Sequence, residues 1–263
     1  MLDLALWPAA QRAQIVGVLT DIDDTLTTDG AITADALQAL ADLRQAGLHV
    51  VPITGRPVGW SAPFASEWPV DAIVAENGAV ALVGAGAGGP PARLYQQPPA
   101  QRAANYSRLQ QVAQRVLREI PGTALAQDSP GRETDIAIDH SEFTQLPPQH
   151  IAEVVRLMRD EGMNATVSSI HINGWFGEHD KLSGARWIVR ELFGRALDGE
   201  IERWAYVGDS TNDQLMFERF PHSIGVANVR RFAAELRHWP RYIAPSERGA
   251  GFADVARALL AAR

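Results

Sequence analysis

The chain has 263 residues, 46% of them apolar, enough to bury a sizeable core in one large domain or two unequal ones. Its 24 Lys plus Arg against 31 Asp plus Glu leave a formal charge of -7, the wrong sign for a protein that binds by neutralising nucleic-acid phosphates, so a small molecule is the expected partner. The absence of cysteine excludes a disulfide framework, a thiol nucleophile and a thiolate metal site.

The start, "MLDLALWPAAQR", lacks a basic region followed by a long apolar core, and no later run approaches about 18 apolar residues. Neither a signal peptide nor a membrane span is expected, and the cytoplasm is the expected location. Residues 15–53 read as strand ("IVGVLT"), carboxylate loop, helix ("TADALQALADLRQAG") and strand ("LHVVPIT"), with Thr33 as N-cap and Gly47 as C-terminal stop. Such a βαβ unit, continued by "DAIVAENG" as a third strand, implies a parallel sheet covered on both faces. The Gly/Pro stretch "GAGAGGPPA", residues 84–92, suits a domain boundary or a loose hairpin turn. Beyond it lie a helix at 105–120, strands at 123–127 and 133–139, a helix at 147–162, and strands at 164–170 and 171–176. Read twice as αββ, this is an antiparallel sheet with helices on one face, inserted into the parallel domain. A helix at "DKLSGARWIVRELFG", a strand at "RWAYVGDS", short strands at "SIGVAN" and "RYIAP" and a closing helix at "ADVARALLAAR" complete the chain. The basic run "RRFAAELRHWPR" reads as the solvated side of a late helix. The expected fold class is α/β: a doubly wound core in two segments, 1–88 and 177–263, around an α+β insert at 89–176.

Ligands of open parallel sheets bind beyond the C-terminal strand ends, which directs attention to the residues just after the apolar runs. Asp21 and Asp23 follow the first strand at i, i+2 spacing, which puts both side chains on one side if the extended conformation persists. Thr54 and Gly55 follow the second, Lys181 opens a helix, and Asp209, Asn212 and Asp213 follow "WAYVG". Clustered carboxylates raise one another's pKa and call for a shared proton or a cation. A hard divalent ion such as Mg²⁺, held by one or two carboxylates and a substrate phosphate, fits best, with Thr54 and Lys181 left to hold phosphoryl oxygens. Two aspartates in the first motif then divide the labour: Asp21 attacks phosphorus, and Asp23 protonates the leaving oxygen and later deprotonates water.

"DIDDTLT", "ITGR", the isolated Lys181 and "VGDSTND" resemble, in order, the four motifs of the haloacid dehalogenase-like hydrolases. The insert between the second motif and the lysine resembles the cap of their Cof-type, sugar-phosphate phosphatase branch, and "AENGAV" is similar to a segment common there. The resemblance implies a Mg²⁺-dependent phosphatase acting on a small phosphorylated metabolite, a sugar phosphate foremost, through an aspartyl-phosphate. It makes Asp21 the nucleophile and a metal ligand, and Asp23 the acid/base whose backbone carbonyl also binds Mg²⁺. Thr54, Gly55, Lys181 and Asn212 would serve the phosphoryl group, with Asp209 as metal ligand and Asp213 behind it, through water or by holding Lys181. Asp24 departs from the glycine that many members of the branch carry and reads as a loop residue. The mutases of the superfamily retain the same apparatus and stand as the alternative, followed by a catalytically idle metabolite-binding protein; the oligomeric state is unassigned. In the cap, Arg132 is a candidate for an anionic substrate group and Trp175 for stacking on a sugar, with Glu133, His171 and Asn173 nearby. His171 and His179 lack a third ligand at suitable spacing for zinc.

Overall fold

In this computed structural model, which describes residues 1–84 and 89–263, the first apolar run forms β1 (Gly17–Thr20), buried along its whole length. Helix α1 (Ala34–Gln45) crosses over to β2 (His49–Pro52), and α2 (Val58–Glu67) leads to β3 (Ile73–Ala75). The chain then folds back as β4 (Val80–Val83), antiparallel to β3, and again as β5 (Ala92–Tyr95), antiparallel to β4. After the insert come α5 (Lys181–Phe193), β10 (Trp204–Gly208), α6 (Gln214–Arg219), β11 (His222–Gly225), β12 (Tyr242–Ile243) and α7 (Arg248–Leu260). The parallel sheet runs in the order Leu2–Asp3, β12, β11, β10, β1, β2, and a bridge between Ile53 and Val74 carries it on to β3. Adjacent strand residues point to opposite faces. Val18, Val50 and Val207 therefore pack with Leu40 of α1 and Phe252 of α7, whereas Leu19, Val51 and Tyr206 pack with Ile188 of α5 and Phe217 of α6.

The insert is the expected αββαββ unit. Helix α3 (Pro99–Glu119), β6 (Ala124–Leu125), β7 (Asp135–Asp139), α4 (Pro148–Asp160), β8 (Asn164–Val167) and β9 (His171–Trp175) give an antiparallel sheet in the order β8, β9, β7, β6. Ile136, Ile138 and Ile172 pack with Val112 of α3 and Met158 of α4. Their alternates, Asp135 and Asp139 on β7 and His171, Asn173 and Trp175 on β9, occupy the other face of the sheet. That face meets the parallel core.

Three expectations change. The expected boundary at 88 lies outside the described residues, and the Gly/Pro stretch joins β4 to β5, so it links a hairpin whose second strand extends the core sheet beyond that point. Helix α3 starts at Pro99, six residues before the position expected, because a proline is tolerated in a first turn. The basic run after Val229 is a 3₁₀ helix (Ala227–Phe232) followed by turns, and the final α-helix begins earlier than expected, at Arg248. Helix α2 was not among the expected elements, nor were strands β4 and β5 on either side of the hairpin turn that the Gly/Pro stretch also suited.

Candidate active site

Three of the four motifs reach the site because a strand ends there. Asp21 N–H donates to Val207 O across the β1–β10 ladder (2.9 Å), so Asp21 still follows the sheet; the chain then turns. Thr27 Oγ1 fixes that turn by accepting from Asp24 N (3.1 Å) and donating to Ile22 O (3.2 Å). Asp24 sits at φ 55°, in the left-handed region where glycine is least strained and Asp is tolerated, which accounts for the residue types found there. Its carboxylate pairs with Arg248 (3.0 Å), as befits a loop residue.

Lys181 is brought in by close packing of α5 over the turn after β3. A Cβ on Gly184 would lie 2.6 Å from the Cα of Gly78, itself at φ 109°, so only paired glycines allow the approach. Its ammonium donates to Asp21 Oδ1 (2.6 Å) and Asp213 Oδ1 (2.7 Å). Burial opposes the charge, but Asp21 and Asp213 outweigh it and hold Lys181 above the usual lysine range. Asp213 also accepts from Tyr206 Oη, from Asp209 N (2.9 Å) and from Ser210 N (3.2 Å). With both oxygens committed, Asp213 is placed to hold Lys181 rather than to ligate metal directly.

Asp209 differs. Its Oδ2 accepts from Asn228 Nδ2 (3.0 Å), while Oδ1 is buried without a partner among the described residues. Oxygens of Asp21, Asp209 and Asp213 lie within 4.8 Å of one another. Burial, with the charges of Asp213 and Asp23 adding, pushes Asp21 up to about 8 in spite of Lys181, and burial with Asp21 and Asp213 drives Asp209 well above its ordinary value. A buried carboxylate cluster with one ammonium and an orphaned oxygen fits a hard divalent cation held by Asp21 and Asp209.

The second motif supplies a residue that the sequence reading passed over. Thr54 is buried, with Oγ1 accepting from Arg56 N (3.0 Å), and Arg56 sends Nε to both oxygens of Asp23 (3.0 and 3.1 Å). Its other nitrogens reach into the cap, to Asp128 (3.2 Å) and Glu142 (2.9 Å). Glu142 in turn meets His171 Nε2 (2.8 Å). Burial would raise Glu142, but His171 and Arg56 draw it down to about 2. Burial keeps Asp23 above its ordinary value even beside Arg56, a favourable state for a proton donor. The only sequence signal for Arg56 was its place after Thr54-Gly55.

Docked cap and core leave a cavity of about 10 Å³ between Asp21, Asp23, Gly55, His171, Asn173 and Asn212. Asn212 is thus at the site, its Oδ1 accepting from Ser210 Oγ (3.0 Å). Arg132 and Trp175 are placed otherwise than the substrate-contact expectation requires. Arg132 is spent on Asp128 (3.0 Å), Asp135 (2.8 Å) and Gly55 O (3.0 Å), and Trp175 donates Nε1–H to His179 O (2.7 Å). Arg132→Met should destabilise the protein by about 3 kcal/mol in urea unfolding, because Asp135, already pushed up to about 7 by burial against the pull of Arg132, loses its partner. A shift in preference among anionic substrates with stability unchanged would return Arg132 to substrate contact.

A doubly wound sheet whose strand ends gather a buried, lysine-tethered carboxylate cluster beneath a docked cap is the arrangement to compare with known folds. Residues 18–86 match the family model of haloacid dehalogenase-like hydrolases. The fold is shared with a HAD/COF-like hydrolase from Plasmodium vivax (TM-score 0.69, 16% identity, 97% of this chain and 99% of that one). It is shared likewise with the sucrose-phosphatase of Synechocystis in complex with sucrose and phosphate (0.66, 14%, 94% and 98%), and with a trehalose-6-phosphate phosphatase related protein (0.61, 15%, 93% and 97%). Among curated proteins no match is found. The chain is thus similar to the haloacid dehalogenase-like hydrolases, in sequence over residues 18–86 and in fold over nearly its whole length. No helix among the described residues is long and apolar enough to cross a membrane.

Proposed function

We propose that the protein is a Mg²⁺-dependent phosphatase of small phosphorylated metabolites, sugar phosphates foremost. The observation that carries this reading is Asp21, tethered to Lys181 at 2.6 Å, beside the orphaned oxygen of Asp209 and two residues before an Arg56-held Asp23. Asp21 attacks phosphorus while the bond to the leaving oxygen breaks, and Asp23 delivers its proton to that oxygen. Asp23 then takes a proton from a water that attacks the aspartyl-phosphate, freeing Asp21 and inorganic phosphate. Lys181 and Thr54 stabilise the charge on the transferring oxygens. Asp21, Asp209 and the Asp23 carbonyl would hold the Mg²⁺, which when bound would supply charge neutralisation at the phosphoryl group.

A cavity of about 10 Å³ holds no metabolite, so the cap opens to admit substrate and closes to exclude water. From Asp23 a chamber of about 690 Å³ runs outward between the cap and the core, lined by Thr27, Ser141, Glu142, Phe143 and Ser169. Its hydroxyls, carboxylates and aromatic ring suit a polyol leaving group, Arg231 and Arg248 leave room for an anionic substituent on it, and two of the similar folds are named for sugar phosphatases. The test is phosphate release from phosphorylated sugars, sugar acids, nucleotides and an aryl phosphate, with Mg²⁺ and with chelator. Mg²⁺-dependent release led by a sugar phosphate is expected; no release from any compound would sink the reading.

A further inference from the structure

On the other side of the Asn173–Gly55 contact from the Asp23 chamber lies a second cleft, of about 480 Å³, at the hinge where β9 returns to α5. Three of its lining side chains carry polar atoms that are buried and without a partner among the described residues: Asn77 Nδ2, Thr166 Oγ1 and His179 Nε2. Asn77 is 2% and His179 4% exposed. All three atoms can donate. For His179 the tautomer follows from Gln97, whose Nε2 donates to Phe176 O (2.9 Å) and whose Oε1 accepts from Asn105 (3.1 Å). Gln97 Nε2 lies 3.3 Å from His179 Nδ1, which must accept, leaving the proton on Nε2. Burial keeps the ring neutral, down to about 4.

The charges around the cleft also leave it short of acceptors. Asp180 is turned into the α5 cap, accepting from Ser183 N (2.7 Å), and Glu178 and Arg159 stand exposed at the rim. Lys181 reaches the cleft from the phosphoryl side. So does Asn77: its side-chain nitrogen would lie 3.4 Å from a Cβ on Gly55, and its backbone N–H donates to Thr54 O (2.9 Å).

Resting on the phosphatase reading above, we propose that this hinge cleft is an oxyanion site that takes the product phosphate from behind Lys181, so that phosphate and alcohol leave on opposite sides of Asp21. Asp23 defines the alcohol side because it protonates the leaving oxygen; Lys181 and Asn77 define the phosphate side because they flank the oxygens that stay on phosphorus.

The test is calorimetric titration of inorganic phosphate into chelator-treated protein, where the crowded carboxylates of the catalytic centre repel an anion and substitutions in the hinge cleft report binding there. Binding without Mg²⁺ is expected, weakened about tenfold by Thr166→Val and by His179→Phe and restored by Thr166→Ser. No cation-independent binding, or affinity unchanged in variants that melt with the natural protein, would overturn the site. During Mg²⁺-supported turnover the same variants should weaken product inhibition by phosphate about tenfold with KM for substrate unchanged; unaltered inhibition would overturn the exit route. Failure of the phosphatase reading would show separately, as absent turnover.

Discussion

Asp21→Asn should lower Mg²⁺-dependent phosphate release by a factor on the order of 10⁴ or more, because the amide keeps the shape of the nucleophile and removes its attacking charge. The same variant should melt higher than the natural protein at pH 8 when both are freed of cations. Asp21 is pushed up to about 8 by burial and its neighbours, from an ordinary value of 3.8. Between those pH values the folded state binds more protons than the unfolded one, so stability falls as pH rises through this window, and the asparagine removes that loss. Asp209, raised in the same direction, adds to the slope. Thermal melts from pH 4 to pH 8 with chelator, and again with Mg²⁺, read both effects. Mg²⁺ should flatten the slope in the natural protein, since a bound cation favours the ionised carboxylates. A variant that keeps its activity would remove Asp21 from the chemistry; melting curves that rise with pH would contradict the cluster's charge state.

Glu76→Gln should loosen the cap from the core and cost about 2–4 kcal/mol of stability. Glu76 is wholly buried in the segment after β3, at φ 49°, and its carboxylate accepts from the core at Val58 N (3.1 Å). From the cap it accepts Glu133 N (3.0 Å), Thr134 N (2.6 Å) and the Thr134 hydroxyl. Every partner is a donor, so an amide must turn its own NH₂ toward at least one of them. Hydrogen exchange at Glu133 and Thr134 should accelerate, and kcat/KM should fall with the population of closed cap. Unchanged exchange together with an unchanged urea midpoint would refute the latch.

The same network shows where sequence reading stops. "DIDDTLT" and "VGDSTND" were legible because each is a contiguous stretch behind an apolar strand, and a parallel sheet gathers strand ends on one edge whatever the details of packing. The αββαββ insert was legible from its periodicities. Arg56 was not, because Asp128 and Glu142 lie 72 and 86 residues further on. Arg132 and Trp175 carry chemistry suited to a substrate, and alternation along β9 does set Trp175 on the sheet face turned to the core. Which partner each found there depended on how cap and core dock.

By itself, then, the sequence determined the parallel core, the inserted cap and the residues gathered at the strand ends, because these follow from local periodicity and from the common direction of the strands. Only the tertiary structure decided that Asp213 holds Lys181 while Asp209 keeps a free oxygen, that Arg56 ties Asp23 to the cap, and that Arg132 is spent on its neighbours. Those outcomes depend on which buried donors and acceptors are left to satisfy one another once the two units meet, and a hydrogen-bond count of that kind closes only in three dimensions.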